Sequence, residues 1–377
     1  MPDQMIESKK NNIVNSILLV SMKKYRYLLL VIFFSVFVFK ANTQSLKLNQ
    51  TQVIGSHNSY KSGIDPEIID FLKGLNPQSA LSLQYEHLPL RSQLDMGLRN
   101  LELDVFHDPK GGRYSNPKGL DIIKQKRPDL PEFDPESKLD EPGMKLFHVQ
   151  DIDFRTHHFL FKDALEEIKS WSNANKDHHP VFILINAKDG LVPGTTTPLP
   201  FTAEALDSID MEIRNTLGAD KLITPALVQG KYESLEESIL NGGWPELDQM
   251  KGKFLFVLDE NEEKTSRYLS LHPSLERAVF FVNVKEGNPN AGFMVINDAI
   301  THHDTIKKLV QKGYIIRTRA DSDTKEARLM DYGRFTKAQS SGAQVISTDY
   351  YIPSKLFEST YRISYENGKF ERKNPFW

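Results

Sequence analysis

The sequence predicts an α/β fold, specifically a (β/α)8 TIM-type barrel. Eight short apolar, β-branched or aromatic runs recur along the chain, and amphipathic helical patterns lie between them. The runs are nearly continuous in apolar residues, which is typical of strands covered on both faces, as in parallel sheets. Strands that alternate with helices favour a closed barrel, and a doubly wound open sheet with extra strands is the alternative.

The eight predicted strands are 51–56, 99–106, 144–149, 180–187, 253–260, 278–284, 314–320 and 343–349. Three helices are predicted between them, because apolar residues recur at helical spacing from Phe161 to Trp171, from Leu206 to Leu217 and from Ile306 to Val310. The third should stop at Gly313, since glycine is a common C-terminal cap. Two long connections, 107–143 and 189–202, follow strands and are expected at the rim of the barrel.

The N-terminal segment, residues 1–43, is predicted to be a signal peptide. A basic stretch from Met22 to Arg26 precedes thirteen mostly apolar residues, 27–39, and small residues then permit cleavage before Gln44. Met22 is the expected true start, because the preceding prefix is not needed for export. An uncleaved anchor is the alternative, although a spanning helix needs about twenty apolar residues. We therefore expect a secreted or periplasmic protein with a single domain over 44–377.

Composition narrows the possible partners. Without residues 1–43 the chain has 41 basic and 48 acidic residues, a net charge of −7. An acidic protein of this kind is not expected to bind nucleic acid, or to adhere to anionic lipid by charge alone. The chain has no cysteine, which excludes disulfides, thiolate metal sites and a cysteine nucleophile. An exported protein without disulfides is typical of a bacterial envelope or secreted product.

Polar side chains occur where the predicted strands end. His57 and Asn58 follow the first strand, Glu102 and Asp104 interrupt the second, and His148 ends the third. The remaining candidates mark the fourth and seventh predicted strands and are Asn186, Lys188, Arg317, Arg319 and Asp321. Because the C-terminal ends of parallel barrel strands meet at one mouth, we expect these side chains to share one pocket.

Glu102 and Asp104 predict a metal site. With one residue between them on a strand, they point to the same side. Two carboxylates inside a barrel repel each other unless a cation joins them. Oxygen donors without thiolate suit Ca²⁺ or Mg²⁺, and Asn58 offers a neutral carbonyl oxygen. The alternative is that the apolar residues around the acids face the core while the acids meet arginines of the helices.

His57 and His148 are candidate acid–base groups, because two imidazoles that flank a metal-held oxygen suit phosphoryl transfer. Each histidine by itself would more commonly be structural, so the prediction depends on their combination with the acid pair. Arg317 and Arg319 alternate on a strand and share a face, where they would bind phosphate or hydroxyls together with Asp321. The alternative is that the arginines pair with Asp321 or with the acid pair and keep the barrel neutral.

Six stretches together resemble the phosphatidylinositol-specific phospholipase C superfamily, and within it the calcium-dependent bacterial branch. They are GSHNSY, YEHLPLRSQLDMGLRNLELDVF, KLFHVQD, PVFILINAKD, GYIIRTRAD and GAQVISTDY, and together they span residues 51–350. The combination is specific, although each fragment by itself is not. A histidine followed by asparagine separates this branch from the glycerophosphodiesterases, whose first motif is His-Arg-Gly.

The resemblance implies a role for each candidate. His57 matches the general base and His148 the general acid. The implied calcium ligands are Asn58, Glu102 and Asp104, and the positions that hold phosphate and ring hydroxyls are Lys188 and either Arg317 or Arg319. Asn186 departs from the pattern, because related metal-dependent enzymes often carry a glutamate ligand there. A carboxamide can still donate an oxygen, but such a site should hold its cation less tightly.

The residues and the resemblance together imply a calcium-dependent phosphodiesterase that cleaves phosphatidylinositol or a related lipid through a cyclic phosphodiester. We expect Ca²⁺ rather than Mg²⁺ as cofactor, a phospholipid or soluble phosphodiester as substrate, transient contact with a membrane surface, and a monomer. One alternative is a phosphodiesterase for another head group, such as a glycerophosphodiester or a sphingolipid. The other is a non-catalytic envelope binding protein that retains the barrel, which the departure at Asn186 would favour.

Overall fold

Ten strands form the framework of residues 45–377, the part of the chain that the computed structural model describes. In chain order they are β1 (Thr51–Ser56), β2 (Asn100–Phe106), β3 (Lys145–Leu146), β4 (Val181–Ala187), β5 (Phe254–Leu258), β6 (Phe280–Val282), β7 (Phe293–Val295), β8 (Ile315–Arg319), β9 (Val345–Thr348) and β10 (Glu371–Lys373). The predicted signal peptide, residues 1–43, lies outside the described residues. Its prediction therefore stays untested by the structure.

Twelve α-helices accompany these strands within the same residues. They are α1 (Pro66–Leu75), α2 (Pro77–Ser82), α3 (Leu90–Asp95), α4 (Gly119–Lys126), α5 (Phe161–Ala174), α6 (Ala203–Leu217), α7 (Pro225–Gln229), α8 (Leu235–Leu240), α9 (Glu262–Leu271), α10 (His303–Gln311), α11 (Lys325–Leu329) and α12 (Gly333–Ser340). The three predicted helices are confirmed as α5, α6 and α10. Gly313 follows α10 with a φ of 108°, as expected of a capping glycine. None of the helices in this range is long and apolar enough to cross a membrane.

Eight of the strands are parallel to their neighbours and follow one another in chain order. Parallel ladders join β2, β4, β5 and β6 in one sheet and β7, β8, β9 and β1 in the other. At one seam, Arg99 N donates to Ile54 O at 3.1 Å and Ser59 N donates to Glu102 O at 2.9 Å. At the other, a parallel bridge pairs Asn283 with Phe293. The strand order is that of a barrel whose ladder is interrupted at two places, between β1 and β2 and between β6 and β7.

A glycine permits the close approach of β1 to β2. A Cβ atom at Gly55 would lie 2.0 Å from the backbone oxygen of Asn100, so that no side chain fits there. Side chains from the two sheets meet in the interior. Ser347 on β9 donates to the Asn100 side chain at 3.0 Å, and the rings of Phe182 and Phe293 are 6.2 Å apart between centroids. The interior is therefore filled, as expected of a small barrel.

One predicted strand is wrong, and two strands of the structure were not predicted. The segment 144–149 is not a barrel strand, because only Lys145–Leu146 is extended and it pairs antiparallel with the end of β2. The barrel strand in its place is β7, Phe293–Val295, which is too short to give a distinct apolar run. The C-terminal strand β10 was also missed, and it pairs antiparallel with β1. Sheet edges accept such short antiparallel additions without any periodic pattern in the sequence.

The two long connections lie side by side. The connection 107–143 follows β2 and the connection 189–202 follows β4, and these neighbouring strands end on the same side. Arg113 Nη1 donates to Thr197 O at 3.0 Å, and Lys118 Nζ donates to Gly194 O at 2.7 Å. Both connections therefore lie on the side where the parallel strands end, as predicted for rim loops.

Candidate active site

The candidate residues converge at the C-terminal ends of the parallel strands. Glu102 on β2 has Oε1 3.8 Å from Nε2 of His57, and its Oε2 accepts a hydrogen bond from the Arg317 guanidinium. Arg319, the last residue of β8, places Nη1 3.4 Å from the same imidazole nitrogen, although the two residues are 262 positions apart in the sequence. These candidate side chains therefore lie close together, as the positions of the strand ends predicted.

His57 follows β1 and is held by a carboxylate that follows β9. Its Nδ1 lies 2.9 Å from Oδ1 of Asp349, and Oδ2 of Asp349 accepts from Arg319 at 3.1 Å. A proton on Nδ1 that is donated to Asp349 leaves the Nε2 lone pair directed at the pocket. Burial, reinforced by the Arg319 guanidinium, lowers the pKa of His57 well below its ordinary value. The imidazole is therefore neutral near pH 7 and able to accept a proton.

His148 reaches the same pocket from a loop and not, as predicted, from the end of a barrel strand. Its Nδ1 lies 2.8 Å from Oδ2 of Asp153. Both residues belong to a tight loop in which Asp153 N donates to Val149 O at 2.9 Å. The Tyr85 ring is near both imidazoles, with centroids 5.9 Å from His57 and 6.5 Å from His148. The two histidines thus occupy one site, each oriented by a carboxylate.

The acid pair is buried and already faces two cations of the chain. Glu102 is 6% exposed and Asp104 is 0% exposed. Arg317 binds Glu102 and is fixed by Ser347 Oγ, which accepts from its Nε at 2.8 Å. Lys188 Nζ lies 3.0 Å from Asp104 Oδ2. Burial would lower the pKa of Lys188, but the Asp104 carboxylate more than offsets this and raises it, so the lysine is charged.

Two buried oxygens at this site have neither a hydrogen-bond donor nor an ion-pair partner among the described residues. They are Oδ1 of Asn58 and Oδ1 of Asp104, whereas Oδ2 of Asp104 is held by the Lys188 ion pair. Asn58 adopts a positive φ of 47°, which asparagine tolerates better than most residues, and its amide nitrogen donates to Tyr85 OH at 2.7 Å. That bond directs the carbonyl oxygen away from Tyr85. Carboxylate and carbonyl oxygens are the ligands that Ca²⁺ prefers, so Asn58, Asp104 and Glu102 fit a calcium ion.

Asn186 lies beside this oxygen cluster. It is paired with Asp104 in the ladder between β4 and β2, and its Nδ2 donates to the backbone oxygen of Asp259 at 2.7 Å. Its Oδ1 is therefore the side-chain atom left to face a cation. The carboxylate of Asp259 lies 3.9 Å from Arg317, and burial raises the pKa of Asp259 to about 7 in spite of that arginine.

Arg317 and Asp321, which the sequence predicts to contact substrate, are both buried and bonded to other residues of the chain. Arg317 is 1% exposed and its guanidinium is taken up by Glu102, Ser347 and Asn297. Asp321 is fully buried: Oδ1 accepts from the backbone nitrogen of Asp349 at 2.9 Å, and Oδ2 accepts from the Thr348 hydroxyl. The geometry favours supporting positions for both, because each of their polar side-chain atoms already has a partner within the chain, and their predicted substrate contact stays a prediction. Arg319 and Lys188 remain able to contact substrate.

Sequence reasoning missed the residues that orient the two histidines. Asp349 follows β9 directly, so it carries the same signal as the other candidates, a polar residue at a strand end. Asp153 and Tyr85 lie in loops, where no periodic signal marks them. A separate group, Asp207 and Asp210 on α6 and His272 directly after α9, places its ligand atoms within 4.8 Å of one another, away from the strand ends.

Known proteins similar to this chain point to a single family. The family model described as Ca²⁺-dependent phosphoinositide phospholipase C matches residues 46–375. No curated protein sequence matches the chain. Among solved structures, the chain is similar to a calcium-dependent phosphoinositol-specific phospholipase C from a Gram-negative bacterium, Pseudomonas sp., at 15% identity, covering 87% of this chain and 96% of that chain, with a TM-score of 0.51. A Ca²⁺-dependent phosphatidylinositol-specific phospholipase C from Streptomyces antibioticus gives 17% identity, 84% and 99% coverage, and a TM-score of 0.50.

The structural similarity, at these identities, establishes the fold. It confirms the predicted TIM-type barrel of phospholipase C-like phosphodiesterases. The family model matches from the first described residues almost to the C-terminus, and therefore includes every candidate residue. The family depends on Ca²⁺, in agreement with the oxygen-rich site at the strand ends. The chain belongs to the Ca²⁺-dependent phosphoinositide phospholipase C family, a family of phosphodiesterases.

Proposed function

We propose that this protein cleaves the phosphodiester bond of phosphatidylinositol, or of a closely related lipid, by acid–base catalysis between His57 and His148 with formation of a cyclic phosphodiester. One observation carries the proposal: two imidazoles, each held by its own carboxylate, lie at one site with two buried oxygens, Oδ1 of Asn58 and Oδ1 of Asp104, that have no hydrogen-bond donor among the described residues. Such an arrangement combines a base, an acid and a cation site.

His57 acts as the base in this proposal. Its Nδ1 is occupied by Asp349, so Nε2 is the atom that takes the proton from the attacking hydroxyl. The Asp349 carboxylate then stabilises the imidazolium that forms. Arg319 contacts both Asp349 and the edge of the imidazole, which places a guanidinium where the phosphate of the substrate would lie.

His148 acts as the acid, and its Nε2 delivers a proton to the departing alkoxide. Asp153 holds Nδ1, which directs Nε2 to the pocket. A bound Ca²⁺, held by Asn58, Glu102, Asp104 and Asn186, would supply neutralisation of charge on the phosphate and a lower pKa for the attacking hydroxyl. Lys188, whose side chain is 30% exposed, adds a second positive charge beside Asp104.

The phosphorus NMR spectrum of the products tests this proposal directly. Purified protein is incubated with phosphatidylinositol, glycerophosphoinositol, a glycerophosphodiester and a sphingophospholipid, each with Ca²⁺ and with a chelator. We expect a calcium-dependent cyclic phosphate resonance from the inositol substrates only. A linear phosphomonoester from another substrate would identify a different phosphodiesterase, and no product from any substrate would favour a binding protein.

We further propose that the chain is exported after removal of residues 1–43 and acts as a monomer with a single catalytic domain, 44–377. The basic and apolar pattern of residues 22–39 supports export, and residues 46–377 form one compact unit. Expression of the full gene product, followed by N-terminal sequencing and size-exclusion chromatography of the secreted protein, tests this. A mature protein that retains residues 22–43 would contradict it.

Asn186→Glu is expected to tighten calcium binding by about tenfold. The change adds a carboxylate beside Asp104, where the related metal-dependent enzymes carry one, and calcium affinity rises with the charge of the ligand set. In the calcium-free protein the same change should lower the melting temperature, because two adjacent buried carboxylates repel each other. Isothermal titration calorimetry measures the affinity. Asn186→Gln, which lengthens the side chain without charge, is the matched control, and an equal gain in both variants would contradict the prediction.

Lys188→Met is expected to raise calcium affinity several-fold and to lower turnover. The Lys188 ammonium lies 3.0 Å from an Asp104 oxygen that a cation would use, so the two positive charges compete for it. Turnover should fall because the variant lacks the Lys188 ammonium, which is proposed to bind the substrate phosphate. Lys251→Met is the control, since Lys251 pairs with Asp248 ahead of β5, at the opposite end of the strands, and the change alters the net charge equally. Unchanged calorimetric affinity in Lys188→Met would show that the lysine does not compete.

A further inference from the structure

A buried lysine lies behind the proposed acid. Lys61 follows β1 and its side chain is 0% exposed. Its ammonium contacts three groups: Oδ2 of Asp153 at 3.0 Å, the backbone oxygen of Leu83 at 3.2 Å, and the face of the Tyr85 ring at 4.6 Å from the centroid. A lysine is almost never fully buried unless it is paired, so this position calls for an explanation. The phosphodiesterase site described above does not require it for binding metal or substrate.

Lys61 and His148 share one carboxylate oxygen. The atom Oδ2 of Asp153 lies 2.8 Å from Nδ1 of His148 and 3.0 Å from Nζ of Lys61. The other oxygen, Oδ1, is buried and accepts no hydrogen bond from the described residues. Burial would raise the pKa of Asp153, but Lys61 and then His148 more than offset this and hold it below its ordinary value. The carboxylate is therefore ionised, and its ion-pair partner is Lys61.

We propose that Lys61 is a positioning residue that adjusts the strength of the proposed general acid, by neutralising Asp153 so that His148 can release its proton during turnover. The proposal rests on the function proposed above for its catalytic meaning. The predicted effect on protonation does not depend on the substrate, because it concerns only the electrostatic interaction of Lys61 and Asp153 with His148.

The direction of the effect follows from electrostatics. Without Lys61, the only counter-charge for the buried Asp153 would be a protonated His148, which would then retain its proton to higher pH. An acid that holds its proton too tightly is a poor donor to a leaving group. The other charged or titratable groups near His148 are His57 and Asp349, from the ends of β1 and β9, and the Tyr85 ring. All three keep their side chains when Lys61 is replaced, and only Asp153 joins the lysine to Nδ1 of His148, so the shift is assigned to that ion pair.

The test is a proton NMR titration of the His148 imidazole in the full mature protein, assigned by comparison with H148Q. In K61M the titration midpoint of His148 is expected to rise by about one pH unit or more. The alkaline limb of the pH–rate profile should move to higher pH by a similar amount. Lys251→Met removes a lysine that pairs with Asp248 ahead of β5, at the opposite end of the strands, and is expected to leave both unchanged. A folded K61M protein with the midpoint and the profile of the unmodified chain would overturn the inference, because a purely structural lysine would leave both in place.

A second pair of variants keeps the inference testable if K61M does not fold. D153N leaves the ammonium beside His148 without its carboxylate, and K61M/D153N removes both charges. The midpoint in D153N should lie at least about half a pH unit below that in K61M/D153N, because a bare ammonium disfavours the imidazolium. Equal midpoints would overturn the inference. A protein that cleaves no phosphodiester but shows these shifts would refute the proposed function and leave the inference on Lys61 intact.

Discussion

Replacing His57 or His148 with alanine is expected to lower kcat by about 10³-fold or more, since general acid–base groups contribute roughly 10²–10⁴-fold each. Both variants should remain folded. Asp349 keeps its ion pair with Arg319 when His57 is removed, and Asp153 keeps its ion pair with Lys61 when His148 is removed. Each variant loses one hydrogen bond, worth about 1 kcal/mol, so the melting temperature should change by only a few degrees.

Steady-state kinetics and differential scanning calorimetry check this result. His303→Ala is the matched control, because His303 lies at the start of α10, pairs with Asp304 and Ser340, and touches none of the site residues. We expect that control to keep full activity. A folded double variant of His57 and His148 with the activity of the unmodified protein would remove the chemical basis of the proposed function.

Asp104→Asn is expected to weaken calcium binding by about 100-fold or more. Loss of a group that only supports a metal ligand costs roughly 10–100-fold in affinity, and Asp104 is proposed as a direct ligand. The substitution also leaves Lys188 without its partner and with a free ammonium at the cation site. Activity should fall in parallel, and the thermal stabilisation that calcium gives by mass action should disappear.

Melting curves over a range of calcium concentrations, with calorimetric titration, measure this effect. Asp108→Asn is the matched control, since Asp108 is a buried aspartate just beyond the same strand that pairs with Lys145. That variant should retain the calcium-induced rise in melting temperature. A calcium-induced rise in Asp104→Asn equal to that of the unmodified protein would show that the cation binds elsewhere, for instance at Asp207, Asp210 and His272.

Both carboxylates of the acid pair have a cation of the chain as partner. From the sequence, the arginines could either bind substrate or neutralise the acid pair. The structure assigns Arg317 to neutralisation, through Glu102, and leaves Arg319 at the edge of His57. The same packing gives Asp104 a lysine partner. Spacing along β8 places both arginines on one face, but it cannot determine which guanidinium reaches which carboxylate across the barrel.

His148 lies near His57 although the barrel strand predicted to carry it is absent. The run 144–149 is apolar because it covers the end of β2, and an antiparallel two-residue pairing satisfies that need as well as a barrel strand would. His148 then reaches the pocket through the tight loop that ends at Asp153. Loop geometry of this kind depends on contacts distant in sequence, such as the Lys61 ion pair, and therefore leaves no periodic signal.

The α/β class, most of the parallel strands and the polar residues at their ends could be predicted from the sequence. Buried strands have nearly continuous apolar runs, and parallel strands in one barrel end on the same side. Which side chains pair at the strand ends is visible in the tertiary structure alone. Asp349 contacts His57, Asp153 contacts His148, Lys188 contacts Asp104, and the buried Asp321 accepts from the backbone of Asp349. The physical reason is that ion pairing in a buried pocket depends on distances of a few ångströms between residues that are far apart in the chain.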